Sequence, residues 1–195
     1  MRKVILSNLV SVDGFFAGPN GELDWFIVDE EFNDYANDLL SKVDALLFGR
    51  VTYQLMADYW PSPSATKDDP LIAEKMNNLP KIVFSKTLHK VEWNNSRLVK
   101  ENVAEEISTM KQQPGKDMVI FGSGSIVSSF IQLGLIDEYR IIVIPVVLGK
   151  GKPLFKDIND KHNLILLKTK VLGSGVVILY YQPIGKEETP LQHTT

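Results

Sequence analysis

Ala45-Leu46-Leu47-Phe48-Gly49-Arg50-Val51-Thr52 is the stretch that decides the fold. Four apolar residues without polar alternation leave no solvated face, so they describe a short strand buried on both sides. Gly49 opens a turn at once, and a short helix is expected over 52–59, closed by Trp60-Pro61. The same pattern returns twice. Lys81-Ile82-Val83-Phe84 runs into Ser85-Lys86-Thr87, and Met118-Val119-Ile120-Phe121 runs into Gly122-Ser123-Gly124-Ser125. Buried strands that each end in a polar turn belong to a mostly parallel sheet with helices on both faces.

The flanking chain fits that frame. Segment 3–12 is β-rich and ends at the turn Asp13-Gly14. Phe32, Tyr35, Ala36, Leu39 and Leu40 recur at helical spacing, which predicts a helix over 28–42 with acids in its first turn. A polar loop over 61–70 and helices over 71–78, 101–112 and 124–133 follow. Segment 138–148 reads as a long apolar strand, with Pro145 suited to an edge, a bulge or a strand end. Runs 162–172 and 176–183 flank Gly173-Ser174-Gly175 and predict an antiparallel hairpin. Residues 1–183 are expected to form one domain, with 184–195 a disordered tail.

Composition removes several classes of function. The chain has 195 residues and 21 Lys+Arg against 24 Asp+Glu, a formal charge of −3. No clustered excess of positive charge is present for coating nucleic acid or an anionic membrane. There are no cysteines and only three scattered histidines, so no disulfide, thiolate or HExxH metal site is expected. The charge-free stretch from Met118 to Ile136 is interrupted by serines and glycines, making it a poor membrane helix. A soluble, cytoplasmic protein is expected.

The three strand ends carry the candidate chemistry. Ligands of open α/β sheets collect at the carboxyl ends of parallel strands. Glycines and hydroxyls there free backbone N–H groups for an anion, and helix N-termini add their dipoles. Arg50 and Lys86 supply two positive charges, so a dinucleotide with a ribose 2′-phosphate fits the rim. Each turn also has a plainer reading: Gly49 as a turn residue, Arg50 as a solvated charge, Gly122-Ser123-Gly124-Ser125 as a tight strand-to-helix turn. There is no GxGxxG and no phosphate-loop lysine motif.

These residues, with Ser11-Val12-Asp13-Gly14, Asp24-Trp25, Gly134-Leu135-Ile136-Asp137-Glu138-Tyr139 and Pro145 to Gly151, resemble the dihydrofolate reductase superfamily. The branch they are most similar to is the reductase domain of bacterial riboflavin biosynthesis, and the resemblance covers residues 2 to about 182. It implies a three-layer α/β/α fold, NADPH as cofactor, and hydride transfer to a C=N or C=O bond of a pterin-like or pyrimidine-like substrate. It also implies a homodimer. By the same resemblance, Gly49, Arg50 and Thr52 would lie against the cofactor phosphates. Ser85 and Lys86 would hold the adenosine-ribose phosphate, and Gly122, Ser123, Gly124 and Ser125 the pyrophosphate. Asp13 and Trp25 would line the nicotinamide and substrate side. Lys86 stands where the branch more commonly has Arg, so it meets a phosphate as a point charge without a bidentate fork.

Hydride chemistry belongs to the cofactor, and the protein must supply a proton. Two acids compete for that role: Glu30, five residues after Trp25, and Asp13 at the end of the first strand. Both also have structural readings, as a helix-dipole partner and as a turn-former. A different class remains open, a nucleotide-binding module that keeps the fold without turnover.

Overall fold

The computed structural model describes residues 1–184. Strand β1 (Val4–Ser11) leads into a short β2 (Phe15–Ala17), then α1 (Glu30–Lys42), β3 (Val43–Gly49) and α2 (Arg50–Tyr59). Helices α3 (Pro63–Asp68) and α4 (Pro70–Asn78) precede β4 (Lys81–Phe84) and β5 (Ser96–Val99). There follow α5 (Val103–Gln112), β6 (Asp117–Ile120), α6 (Gly124–Gln132), β7 (Glu138–Ile144), β8 (Lys152–Pro153), β9 (Leu164–Val171) and β10 (Val177–Pro183). Eight strands form one sheet in the order β5-β4-β3-β6-β1-β7-β10-β9, and β2 pairs with β8 in a separate ribbon. The six strands from β5 to β7 are mutually parallel, while β10 runs antiparallel to both neighbours.

Side-chain alternation sorts the core into two layers. Leu6, Leu47, Met118 and Ile120 face α5 and α6 through Ile107, Met110, Val127 and Phe130. Ile5, Leu46, Phe48 and Val119 face α1, α2 and α4 through Tyr35, Leu39, Tyr53 and Met76. The sheet is thus covered on both faces, which explains the apolar runs 45–48, 82–84 and 118–120.

Four local features differ from the sequence expectation. The polar stretch 61–70 contains α3, started by Ser62, whose hydroxyl accepts from Ala65 N at 3.3 Å, with Pro63 in the first turn. A serine cap followed by proline is a helix start. Strand β7 stops at Ile144, because Pro145 has no N–H to give a ladder. Strand β5 was not expected: Ser96-Arg97-Leu98-Val99 has no continuous apolar run, yet it pairs with β4 at the sheet edge. The β2–β8 ribbon is too short to show a period.

The charge-free stretch forms β6, a turn and the nine-residue α6. No helix among the described residues is long and apolar enough to cross a membrane. The opposite sheet edge, β9, exposes Ile165, Leu166, Leu167 and Val171. The expected tail, apart from Ile184, lies outside the described residues.

Lys81 carries a charge in the interior, with 0 % of its surface exposed. Its Nζ donates to the carbonyls of Asn77 at 2.9 Å, Leu79 at 2.7 Å and Asn94 at 2.9 Å. It also sits 4.5 Å from the Trp93 ring centroid. Burial pushes its pKa down to about 8, which leaves it protonated at neutral pH. All three ammonium hydrogens are therefore used. They tie the end of α4 and the entry to β5 to the start of β4, the strand that leads into Ser85.

Candidate functional site

Because β4, β3, β6 and β1 are parallel, Ser85, Gly49, Gly122 and Asp13 all leave the sheet along one edge. Two of these turns are joined directly: Gly49 N donates to Gly122 O at 3.0 Å. The contact is close: a Cβ on Gly49 would stand 2.5 Å from Ser123 Oγ and 3.3 Å from Ser123 N, so a side chain there would displace Ser123. Gly122 has φ +110°, a conformation that a side chain disfavours, and the Gly122–Ser123 peptide is cis. A Cβ at Gly122 would stand 3.1 Å from Thr52 Oγ1 and 3.4 Å from Asn8 Nδ2. Gly49, Thr52, Gly122 and Ser123 thus share one small region, with Arg50 and Ser125 adjoining in the chain, whereas a Cβ at Gly124 would face Phe16 and the Pro153 carbonyl.

The two helices that start there lack a side-chain cap, as α4 and α5 also do, whereas α1 and α3 are capped. The cap of α1, Asp29, accepts from Phe32 N at 2.8 Å. By contrast, α2 begins at Gly49 and α6 at Ser123 with no side-chain cap bond, and neither has an acid in its first turn. The first N–H groups of both helices therefore lack a side-chain acceptor, and both positive dipole ends converge. Such a pair is suited to an anion with two negative centres. Thr52 and Ser123 are buried in the cradle, and Ser123 Oγ lies 3.1 Å from Ser125 Oγ. Arg50 is exposed beside it, with one weak bond of 3.3 Å from Nη1 to Gln54 Oε1.

One strand further out, Gly49 pairs with Phe84, which brings Ser85 and Lys86 to the same edge. Ser85 Oγ accepts from Thr87 N at 3.2 Å and Leu88 N at 3.1 Å and lies 3.3 Å from Thr87 Oγ1, so the hydroxyl shapes this turn. Lys86 is exposed.

On the other side, Trp25 Nε1 donates to Glu22 O at 3.1 Å and the ring packs edge-on against Phe26. The carboxylate of Asp13 accepts from Ser11 Oγ at 2.6 Å, Leu148 N at 3.1 Å and Gly149 N at 2.7 Å. The Ser11 hydroxyl and these two amides hold its pKa below the ordinary aspartate value. Asp13 is thus an ionised fastener between the end of β1 and the 148–149 loop. At the start of α1, Asp29 is the cap and Glu31 accepts from Gly173 N of the β9–β10 turn. Glu30, between them, is exposed and has no hydrogen-bond or ion-pair partner among the described residues.

Sequence reasoning passed over Asn8. It lies on β1 at 6 % exposure, between Leu6 and Val10 on the layer that faces α6. Its Nδ2 donates to Phe121 O at 3.2 Å, while Oδ1 is buried without a partner. The available signal was an amide in an inward position of an apolar strand, and such groups are normally satisfied.

Comparison with known proteins adds a family and a fold. The model described as RibD C-terminal domain matches residues 2–178. The chain is 37 % identical over 180 residues to the uncharacterized Bacillus subtilis protein YyaP, covering 92 % of this chain and 94 % of that one. It is 25 % identical over 174 residues to the 2,5-diamino-6-ribosylamino-4(3H)-pyrimidinone 5′-phosphate reductase of Aquifex aeolicus, covering 75 % and 78 %. A dihydrofolate reductase of Enterococcus faecalis, solved with NADP(H), superposes with a TM-score of 0.61 at 16 % identity, covering 93 % and 96 %. The mostly parallel sheet with its antiparallel end is therefore a dihydrofolate reductase-like fold.

Proposed function

Given that the chain belongs to the RibD C-terminal domain family, we propose that it is an NADPH-dependent reductase acting on a small heterocyclic, pterin-like or pyrimidine-like, substrate. One observation carries the proposal: two helix N-termini without side-chain caps, α2 and α6, are bonded together through Gly49 N and Gly122 O. The residues present fit a dinucleotide. The paired N-termini suit a pyrophosphate, and Arg50 and Lys86 offer charge to a 2′-phosphate. When bound, NADPH supplies the hydride. The chain's own groups then do the rest. Gly49, Thr52, Gly122, Ser123, Gly124 and Ser125 bind the phosphates. Asp13 stays ionised and fastens the loop beside the nicotinamide side, and Trp25 lines the substrate side. The proton that completes reduction of a C=N or C=O bond is assigned to Glu30, the one acid of its trio without a structural partner. The Aquifex relative, a pyrimidinone phosphate reductase by name, supports the substrate class.

The solvent exposure of Glu30 favours a second reading, a nucleotide-binding protein without turnover. NADPH oxidation over a panel of heterocycles separates the two. Oxidation that falls in Glu30→Gln supports the reductase, whereas saturable NADPH binding with no oxidation supports the second.

Cofactor choice gives a sharper test. A hydrogen bond to a charged group contributes about 1.5–3 kcal/mol, and the exposure of Arg50 places it at the lower end. Arg50→Ala is expected to cut the NADPH-over-NADH preference about tenfold, read as dissociation constants by calorimetry. Equal constants for the two nucleotides in the wild type would defeat the assignment.

A further inference from the structure

Asn8 is the buried polar side chain at the rim that none of the roles above uses. Its orientation is fixed from one side: Nδ2 donates to the Phe121 carbonyl, so Oδ1 is the atom left over. Oδ1 is buried and has no partner among the described residues, although a buried carbonyl oxygen is normally paired with a donor. The amide borders the space that a Gly122 side chain would fill: a Cβ there would stand 3.4 Å from Asn8 Nδ2 and 3.1 Å from Thr52 Oγ1. An acceptor left unsatisfied on a side chain that borders this turn calls for a donor from a ligand.

We infer that Asn8 is a cofactor-positioning residue, its carboxamide oxygen accepting a hydrogen bond from an O–H or N–H of the dinucleotide on the pyrophosphate-to-nicotinamide side. This rests on the cofactor reading above. The donors available on such a ligand are ribose hydroxyls and a carboxamide N–H, and a phosphate offers none at neutral pH. The side is set by strand order. Asn8 is on β1, three strands from β4, where Ser85 and Lys86 lie. At about 4.8 Å per strand that is roughly 14 Å, beyond the reach of an adenosine 2′-phosphate seated at β4.

The test uses two ligands and two variants. Asn8→Leu keeps the volume in an apolar layer, and Asn8→Ala removes the amide altogether. Each is measured for binding of NADPH and of adenosine 2′,5′-bisphosphate by calorimetry, and for melting temperature without ligand. A neutral hydrogen bond predicts that NADPH binds roughly 3- to 10-fold more weakly in both variants. Binding of the bisphosphate should stay within twofold of wild type. A merely structural Asn8 would lower the melting temperature and leave the NADPH constant unchanged, and that result overturns the inference. Equal weakening of both ligands overturns it too, since it would mean general loosening of the rim. If neither ligand binds the wild type, the cofactor reading itself has failed. If NADPH binds all three proteins alike, only the role of Asn8 has failed.

Discussion

Replacing Lys81 with methionine is expected to lower the unfolding free energy by about 3–5 kcal/mol and the melting temperature by roughly 6–20 °C. The substitution keeps most of the side-chain volume and the contact with Trp93, so little cavity term enters. What is lost is the donor for three carbonyls, those of Asn77, Leu79 and Asn94. Two of them belong to the last turn and exit of α4, where helix carbonyls have no intrahelical partner. Leaving a buried acceptor unmade costs about 1–3 kcal/mol. Water can reach part of this region, because Asn94 is exposed, so the sum is set below the full threefold cost. Chemical denaturation of the two proteins checks the number. A loss under about 1 kcal/mol would mean that solvent satisfies these carbonyls and that Lys81 does not brace the turn at Ser85.

Gly122→Val is expected to weaken NADPH binding by more than about 100-fold. Two charge-assisted bonds from helix N–H groups, at about 1.5–3 kcal/mol each, correspond to that factor or more. Valine at φ +110° is strained, and its Cβ would press on Thr52 Oγ1 at 3.1 Å. The turn must therefore shift, and the joined N-termini shift with it. The same strain costs about 1–3 kcal/mol of stability, so circular dichroism must show a folded variant at the binding temperature. A folded Gly122→Val protein that binds NADPH as the wild type does would remove this turn from the site.

The sheet and most of the rim were legible in the sequence for one physical reason. Strands buried on both faces are predominantly apolar, and glycine or hydroxyl residues directly after them mark the edge where backbone N–H groups are left free. Ala45 to Gly49 and Met118 to Gly124 show this without any structure. Strand β5 was not legible because its edge position relaxes the need for apolar residues. Lys81 was hidden because a lysine at a strand start reads as a solvated flank, and only the fold reveals three carbonyls around it. Asn8 was hidden by the run that contains it, since Val4 to Val10 reads as a strand whatever one inward amide does. The surroundings of Asp13 were not legible in the sequence either. Three donors around the Asp13 carboxylate hold it ionised, whereas nothing in the spacing of Ser11-Val12-Asp13-Gly14 announces Leu148 and Gly149 as partners.

The central claim is that the joined starts of α2 and α6 hold a dinucleotide phosphate, and the melting temperature with and without NADPH tests it most directly. At about 100 times its dissociation constant, a ligand that binds only the folded state contributes about 2.7 kcal/mol. For a chain of this length that corresponds to a rise of roughly 5–10 °C, and NADH at the same concentration should give less. A wild-type melt left unmoved by millimolar NADPH and millimolar NADH alike would contradict the account.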